Sequence, residues 1–273
     1  MNAISIGPFA FDAERVAAIL GIGVFVTLAS LLSSRADRRL GPWSTMTLVL
    51  GLIGARAGHV LPHLESFSVE PWRILAFWQG GFSAVGASAG VLLSGVLLLR
   101  RSPRLLPRAA ASMTAGALVW FSTLAVLGAN TAIVAPDTRL ATLDGRSIVL
   151  SERAGRPLVV NLWASWCPPC RREMPMMAEM ARSHPQIDFV FANQGEAADH
   201  VAVYLANAGI TIETVIADQL SLLSRHYGAP GLPATLFILP DGTLYASHLG
   251  EISREGLSEQ INKIAAPLAE KDI

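Results

Sequence analysis

Leu162-Trp163-Ala164-Ser165-Trp166-Cys167-Pro168-Pro169-Cys170-Arg171-Arg172-Glu173-Met174-Pro175 holds both cysteines of the chain. The apolar run Leu158 to Trp163 predicts a buried strand before the pair, and the pattern after it predicts a helix from Pro168 to Arg182. A thiol at that junction lies at a helix N-terminus, where exposed N–H groups and the positive end of the helix dipole stabilise a thiolate. Cys167 is therefore expected to be the nucleophile, and Cys170, one turn further in, the buried resolving thiol. Proline at the first helical positions removes donors that would be unpaired in any case. A purely structural disulfide over so short a loop would constrain little of the unfolded chain. Zinc wants four ligands, and no second Cys or His pair lies nearby. Cu(I) could take both thiolates with one of Met174, Met176, Met177 and Met180, but those methionines suit the core-facing side of the helix better. No metal or cofactor is expected.

Working outward, short β-rich runs alternate with amphipathic stretches from Pro136 onward, punctuated by Gly, Pro and Asp. Strands are expected at Ser147 to Leu150, Leu158 to Trp163, Asp188 to Ala192 and Glu213 to Ile216. Two more, Ala234 to Leu239 and Thr243 to His248, flank an Asp241-Gly242 hairpin turn. Helices are expected at Ala197 to Asn207, Gln219 to Tyr227 and Ser253 to Ala266. That order describes a central sheet with helices on both faces.

The segment before Pro136 is of another kind. The 273-residue chain is 52% hydrophobic and only 15% charged, with a net charge of +0 and a mean hydropathy of +0.44, too apolar for one ordinary soluble domain. Neutrality is an average. The first 135 residues carry ten Arg, no Lys and five acids, so they are net positive, and the remainder is equally net negative. Four stretches are long and apolar enough to span a bilayer: Val16 to Leu32, Trp43 to Leu61, Gly81 to Leu99 and Ala109 to Val134. A cleaved signal peptide fits the first poorly, since Asp12 and Glu14 precede it where a basic region would be expected. Arg35, Arg38 and Arg39 follow the first span, and Arg100, Arg101, Arg104 and Arg108 lie between the third and fourth. Both loops belong in the cytoplasm by the positive-inside rule. Everything after Val134 is then external, in a compartment where disulfides form. The expected organisation is an all-α transmembrane region of four helices over 1–135 and an extracytoplasmic α/β domain over 136–273. No basic aromatic patch suggests nucleic acid.

The quoted stretch resembles the membrane-tethered, TlpA-like branch of the thioredoxin superfamily, and the likeness runs from about Leu140 to the C-terminus. A second landmark is Gly231-Leu232-Pro233-Ala234-Thr235, which is similar to the family's cis-proline loop. The resemblance implies a thioredoxin-like fold, a cis Leu232–Pro233 bond, and a substrate strand received by Trp166, Leu232 and Pro233. Pro175 matches the family's helix kink, Leu140 to Leu150 its N-terminal hairpin, and Gln194-Gly195-Glu196 an inserted loop. Asn161 stands where thioredoxins carry a buried acid and cannot take a proton from Cys170. The branch often has a glutamate just after the motif, and Glu173 occupies that place. Glu173 is read either as the proton acceptor for Cys170 or as an acid that merely complements the helix dipole. Glu196 is a second candidate carboxylate near the site.

Gly54 to Leu61 and Gly80 to Ala87 are similar to part of prolipoprotein diacylglyceryl transferase, but Val85 stands where that family has its critical histidine. Transferase activity is therefore not expected. Arg56, His59 and His63 share one helical face, either as a site for an anionic lipid headgroup or a quinone ring, or by snorkelling to the interface. The spans contain no cysteine, so this chain cannot carry electrons across the bilayer by thiol exchange on its own. The combined expectation is a multi-pass protein of the bacterial inner membrane whose periplasmic domain reduces protein disulfides. A separate membrane thiol reductant would recharge it, and apocytochrome c or copper-site assembly proteins are the substrates the resemblance implies. The alternatives are a disulfide oxidase or a Cu(I) metallochaperone using the same cysteines.

Overall fold

The computed structural model describes residues 4–6, 9–11, 13–35, 37–127, 133–153 and 155–269. Two three-residue strands, β1 (Ile4–Ile6) and β2 (Phe9–Phe11), precede the first helix. The chain divides into two compact units, one over residues 11–129 and the other over residues 130–273 together with residues 1–10.

The first unit is helical: α1 (Ala13–Arg35), α2 (Leu40–Val60), the short α3 (Leu64–Val69), α4 (Ala84–Arg101) and α5 (Leu106–Leu127). Four stretches, Val16–Ser34, Leu40–Ser68, Ala84–Arg101 and Pro103–Val126, are long and apolar enough to cross a membrane. Their burial is inverted relative to a soluble bundle. Ile19, Leu52, Leu92 and Phe121 face outward, whereas Ser44, Thr47, Ser94 and Ser112 are buried. Helices surrounded by lipid gain nothing by hiding apolar side chains, so small and polar residues take the contacts instead. α2 packs chiefly on α4, and α1 on α5. A Cβ on Gly86 would lie 2.1 Å from the Gly54 carbonyl oxygen, and one on Gly90 would lie 2.0 Å from that of Leu50. Across the same seam Thr47 donates to Ser94 Oγ at 2.9 Å, and the Trp43 indole donates to the Ser94 carbonyl at 3.2 Å. We expect Gly86→Val to force α2 and α4 apart at a cost of about 3 kcal/mol or more. Gly95→Val, on the same helix with nothing within 4 Å, should be close to neutral. Thermal unfolding of the two variants in detergent checks this, and equal losses would exclude the close seam.

The spans differ from expectation at their ends. The second begins at Leu40, and the third begins at Ala84 because Gly80 and Gly81 adopt positive φ and the Ser83 hydroxyl caps the helix by accepting from Gly86 N–H. The fourth begins at Leu106 and does not reach Val134. Residues 128–132 of that expected span lie outside the described residues. Val134 bridges Thr243, and Leu244 N–H donates to the Ile133 carbonyl at 2.8 Å. Ile133 and Ala135 pack into the core of the second unit, and hydropathy alone does not separate burial in lipid from burial in a protein core.

The second unit is a five-stranded sheet in the order β7-β6-β5-β8-β9, with a small β3-β4 hairpin. Its strands are β3 (Arg139–Ala141), β4 (Ser147–Val149), β5 (Leu158–Trp163), β6 (Asp188–Gln194), β7 (Val215–Asp218), β8 (Ala234–Ile238) and β9 (Leu244–Leu249). β6 runs parallel to β5 and β7 parallel to β6, while β8 is antiparallel to both β5 and β9. The helices are α6 (Pro168–Ser183), α7 (Ala198–Ala208), α8 (Leu222–His226) and α9 (Arg254–Ala269). β5 is buried throughout, and alternation divides it between two cores. Val159 and Trp163 face α6, α7 and α9, whereas Leu158, Val160 and Leu162 face α8 and the hairpin. β7 lies two residues later than expected, and α8 is shorter than Gln219 to Tyr227. The Asp218 carboxylate accepts from the N–H groups of Leu222 and Leu223 at 2.8 Å each, and Ser221 takes a left-handed conformation, so the helix starts only after it.

Candidate active site

Each cysteine is placed by where β5 stops. The strand ends at Trp163, three residues cross the sheet edge, and Cys167 becomes the N-cap of α6 with extended backbone (φ −87°, ψ 107°). Pro168 and Pro169 fill the first helical positions, and Cys170 N–H points at Cys167 Sγ at 3.3 Å. That donor, with the helix dipole, is what would hold a Cys167 thiolate. The two cysteines form a disulfide, Cα to Cα 5.3 Å. Cys170 is fully buried and Cys167 is 3% exposed, while Trp166 beside them is 67% exposed.

Glu173 stands one turn beyond Cys170 and turns inward, only 2% exposed. Its Oε1 accepts from Asn161 Nδ2 at 2.9 Å and its Oε2 from Ile252 N–H at 3.0 Å. Burial pushes its carboxyl up to about 7, against those two donors; the Glu251 carboxylate adds to the rise and Arg172 opposes it. Arg172 and Glu251 pair outside it at 2.7 Å and tie the Ile252 segment to α6.

Glu196 is close to the site but committed elsewhere. Its Oε2 accepts from Ser165 N–H at 2.7 Å and from Asn193 Nδ2 at 2.6 Å, its Oε1 accepts from the Ser165 hydroxyl, and His200 Nε2 lies 3.4 Å away. Partial burial would raise its carboxyl, yet these hydrogen bonds hold it below the ordinary range. It clasps the loop that carries Trp166 and Cys167. Ser165, Asn193, Thr235 and the Ile252 N–H are site residues that the sequence did not single out. Their contacts join strands and loops far apart in the chain, two of them through backbone groups, and only the Asn161 substitution hinted at a changed polar network.

The Leu232–Pro233 bond is cis, and the Pro233 carbonyl accepts from Gly250 N–H at 2.8 Å. Leu232 and Trp166 line one open cleft of about 400 Å³ together with Gly195, Ser221 and Pro230. Met174 and Met177 are fully buried in the same core cluster as Phe237 and Ile261, so they serve packing and do not face an open copper site.

In the membrane unit, Arg56 is enclosed. Its guanidinium donates to the carbonyls of Arg73, Ile74, Gly80 and Gly81 at 2.6 to 3.0 Å and lies within 6.0 Å of the Phe67, Phe77 and Phe82 ring centres. Arg56 thereby ties the segment between α2 and α4 to α2. The His59 and His63 ring centres lie 5.0 Å apart, and His63 falls in a 3-10 turn, Leu61–His63, beyond the end of α2.

A disulfide-bonded cysteine pair at a helix N-terminus on a thioredoxin-like sheet, backed by a buried carboxyl and faced by a cis-proline loop, defines a thiol-disulfide oxidoreductase. Residues 129–264 match the family Redoxin, and residues 1–132 match prolipoprotein diacylglyceryl transferase. Thiol-disulfide oxidoreductase ResA of Geobacillus thermodenitrificans is 31% identical over 132 residues, covering 48% of this chain and 75% of that protein. ResA of Bacillus subtilis is 27% identical over 132 residues, covering 48% and 73%. Among solved structures, DsbF of Mycobacterium tuberculosis is 26% identical, covering 47% of this chain and 95% of that one, with a TM-score of 0.45. Through its second unit, the chain belongs to the ResA-like thiol-disulfide oxidoreductases of the Redoxin family, and it joins that domain to a four-helix apolar region.

Proposed function

We propose that this protein is a disulfide reductase of the bacterial inner membrane, with its thioredoxin-like domain on the periplasmic side. The arginine-rich loops after the first and third spans favour that orientation. The Cys167 thiolate attacks a substrate disulfide, forming a Cys167–substrate mixed disulfide and releasing one substrate thiolate. Cys170 passes its proton to Glu173 and attacks Cys167 Sγ. The Cys167–Cys170 bond forms, the second substrate thiolate leaves and is protonated, and the substrate has gained two electrons. Trp166, Leu232 and Pro233 would hold the substrate strand during this exchange. The single observation that carries the reading is Glu173, inward-facing one turn past Cys170 and titrating close to neutrality. Apocytochrome c and copper-site assembly proteins are the substrate classes we favour, recharged by a separate membrane thiol reductant because the spans hold no cysteine.

Thiol trapping in living cells tests the direction. The pair should be mostly reduced, and it should become oxidised when the cell's transmembrane thiol-reductant system is removed. A pair oxidised in both backgrounds would overturn the reductase reading and leave an oxidase or a structural disulfide.

A further inference from the structure

Asn161 has an unusual set of partners. It lies in the middle of β5 opposite Thr235 of β8, and both side chains are buried. Its Nδ2 donates to Glu173 Oε1 at 2.9 Å and to Thr235 Oγ1 at 3.3 Å. Its Oδ1 is buried and has no partner among the described residues. Buried acceptors are normally paired, so this arrangement suits only one of two states. With Glu173 ionised, both carboxylate oxygens receive donors, from Asn161 and from Ile252 N–H. Once Glu173 has taken the Cys170 proton, its O–H needs an acceptor and the Asn161 NH2 faces it wrongly. Turning the terminal amide end for end puts Oδ1 where Nδ2 was, in reach of both the Glu173 O–H and the Thr235 hydroxyl.

We propose that Asn161 is a positioning residue for resolution: an amide that turns over to hydrogen-bond Glu173 in both of its protonation states. One amide group is left unpaired in either orientation, so the amide favours neither state strongly and the proton can move both ways. An aspartate here could not do this, because its charge would oppose ionised Glu173. The other charged groups that act on Glu173 are the Arg172–Glu251 pair, whose charges act in opposite senses, while Cys170, three residues earlier on α6, supplies the proton in the proposed step. None of them offers a reversible donor and acceptor. The proposal rests on the role given to Glu173 above, and the test separates the two.

The full chain in nanodiscs is reduced and mixed with dithiobis-nitrobenzoate, which caps Cys167; release of the second thionitrobenzoate then reports attack by Cys170. In the wild type, the rate against pH should rise through a step near neutrality. Asn161→Leu removes a donor from the ionised form and should move the step to higher pH by about one unit. Asn161→Asp, nearly the same shape, should move it further and spread it over two coupled titrations. Glu173→Gln should abolish it. If both Asn161 variants superimpose on the wild type while Glu173→Gln loses the step, the amide proposal is overturned and Glu173 stands. A step that survives Glu173→Gln would remove the role of Glu173 itself.

Discussion

Replacing Cys170 by Ala should convert the protein into a covalent trap. Cys167 would still attack a substrate disulfide, but no thiol would remain to resolve the adduct. Turnover should fall to background, while mixed disulfides accumulate as bands on non-reducing gels that vanish with reductant. Cys167→Ala should abolish turnover without adducts, because Cys170 is fully buried. Adducts of equal yield from both variants, or from neither, would exclude the assigned roles.

The trap should stay folded. The disulfide closes a loop of only two intervening residues, so in the chain-entropy picture its loss costs about 2 kcal/mol. In Cys170→Ala, the Cys167 thiol should also alkylate with a midpoint below the ordinary thiol value of about 8.5. Helix N–H groups remain to stabilise the thiolate, the one at position 170 already aimed at Sγ from 3.3 Å.

How much of this was legible in the sequence depended on how local the cause was. The β5–Cys167–α6 junction was readable because a strand, an N-cap and two prolines follow one another within the stretch 158–170. The cis bond at Pro233 came from resemblance, since nothing local at Leu232 requires it. What the sequence concealed was the destination of long side chains. An arginine in a span needs partners, and only the fold shows that those of Arg56 include the carbonyls of residues 73, 74, 80 and 81. Glu196 looked like a possible second acid, and it proves to be fixed by Ser165 and Asn193. Span ends depart from hydropathy where another device takes over, namely the two glycines before α4 and the core packing of Ile133 and Ala135 after α5.

Glu173→Gln should make the protein more stable at alkaline pH and at the same time slower. An unfolded glutamate titrates near 4.5, whereas Glu173 in the fold titrates at about 7. The folded state therefore holds an extra proton between those values. That contribution to stability is fully present below about pH 4.5 and is lost as pH rises to about 7. Glutamine never ionises, so the variant keeps what the wild type loses, worth about 3 kcal/mol above neutrality. Its amide can be accommodated, because Asn161 can turn its oxygen toward a donor while Ile252 N–H still finds the Gln oxygen. Denaturant unfolding of the oxidised protein at pH 5 and pH 8 should give curves that nearly coincide at the lower pH and separate at the higher. Catalysis should move the other way: without an acceptor for the Cys170 proton, resolution at neutral pH should slow by about 100-fold and recover only as hydroxide replaces the carboxylate. A variant that misfolds loses stability and rate together, so a gain in one with a loss in the other isolates the proton transfer. Unchanged resolution at neutral pH would mean that Cys170 gives its proton to another group.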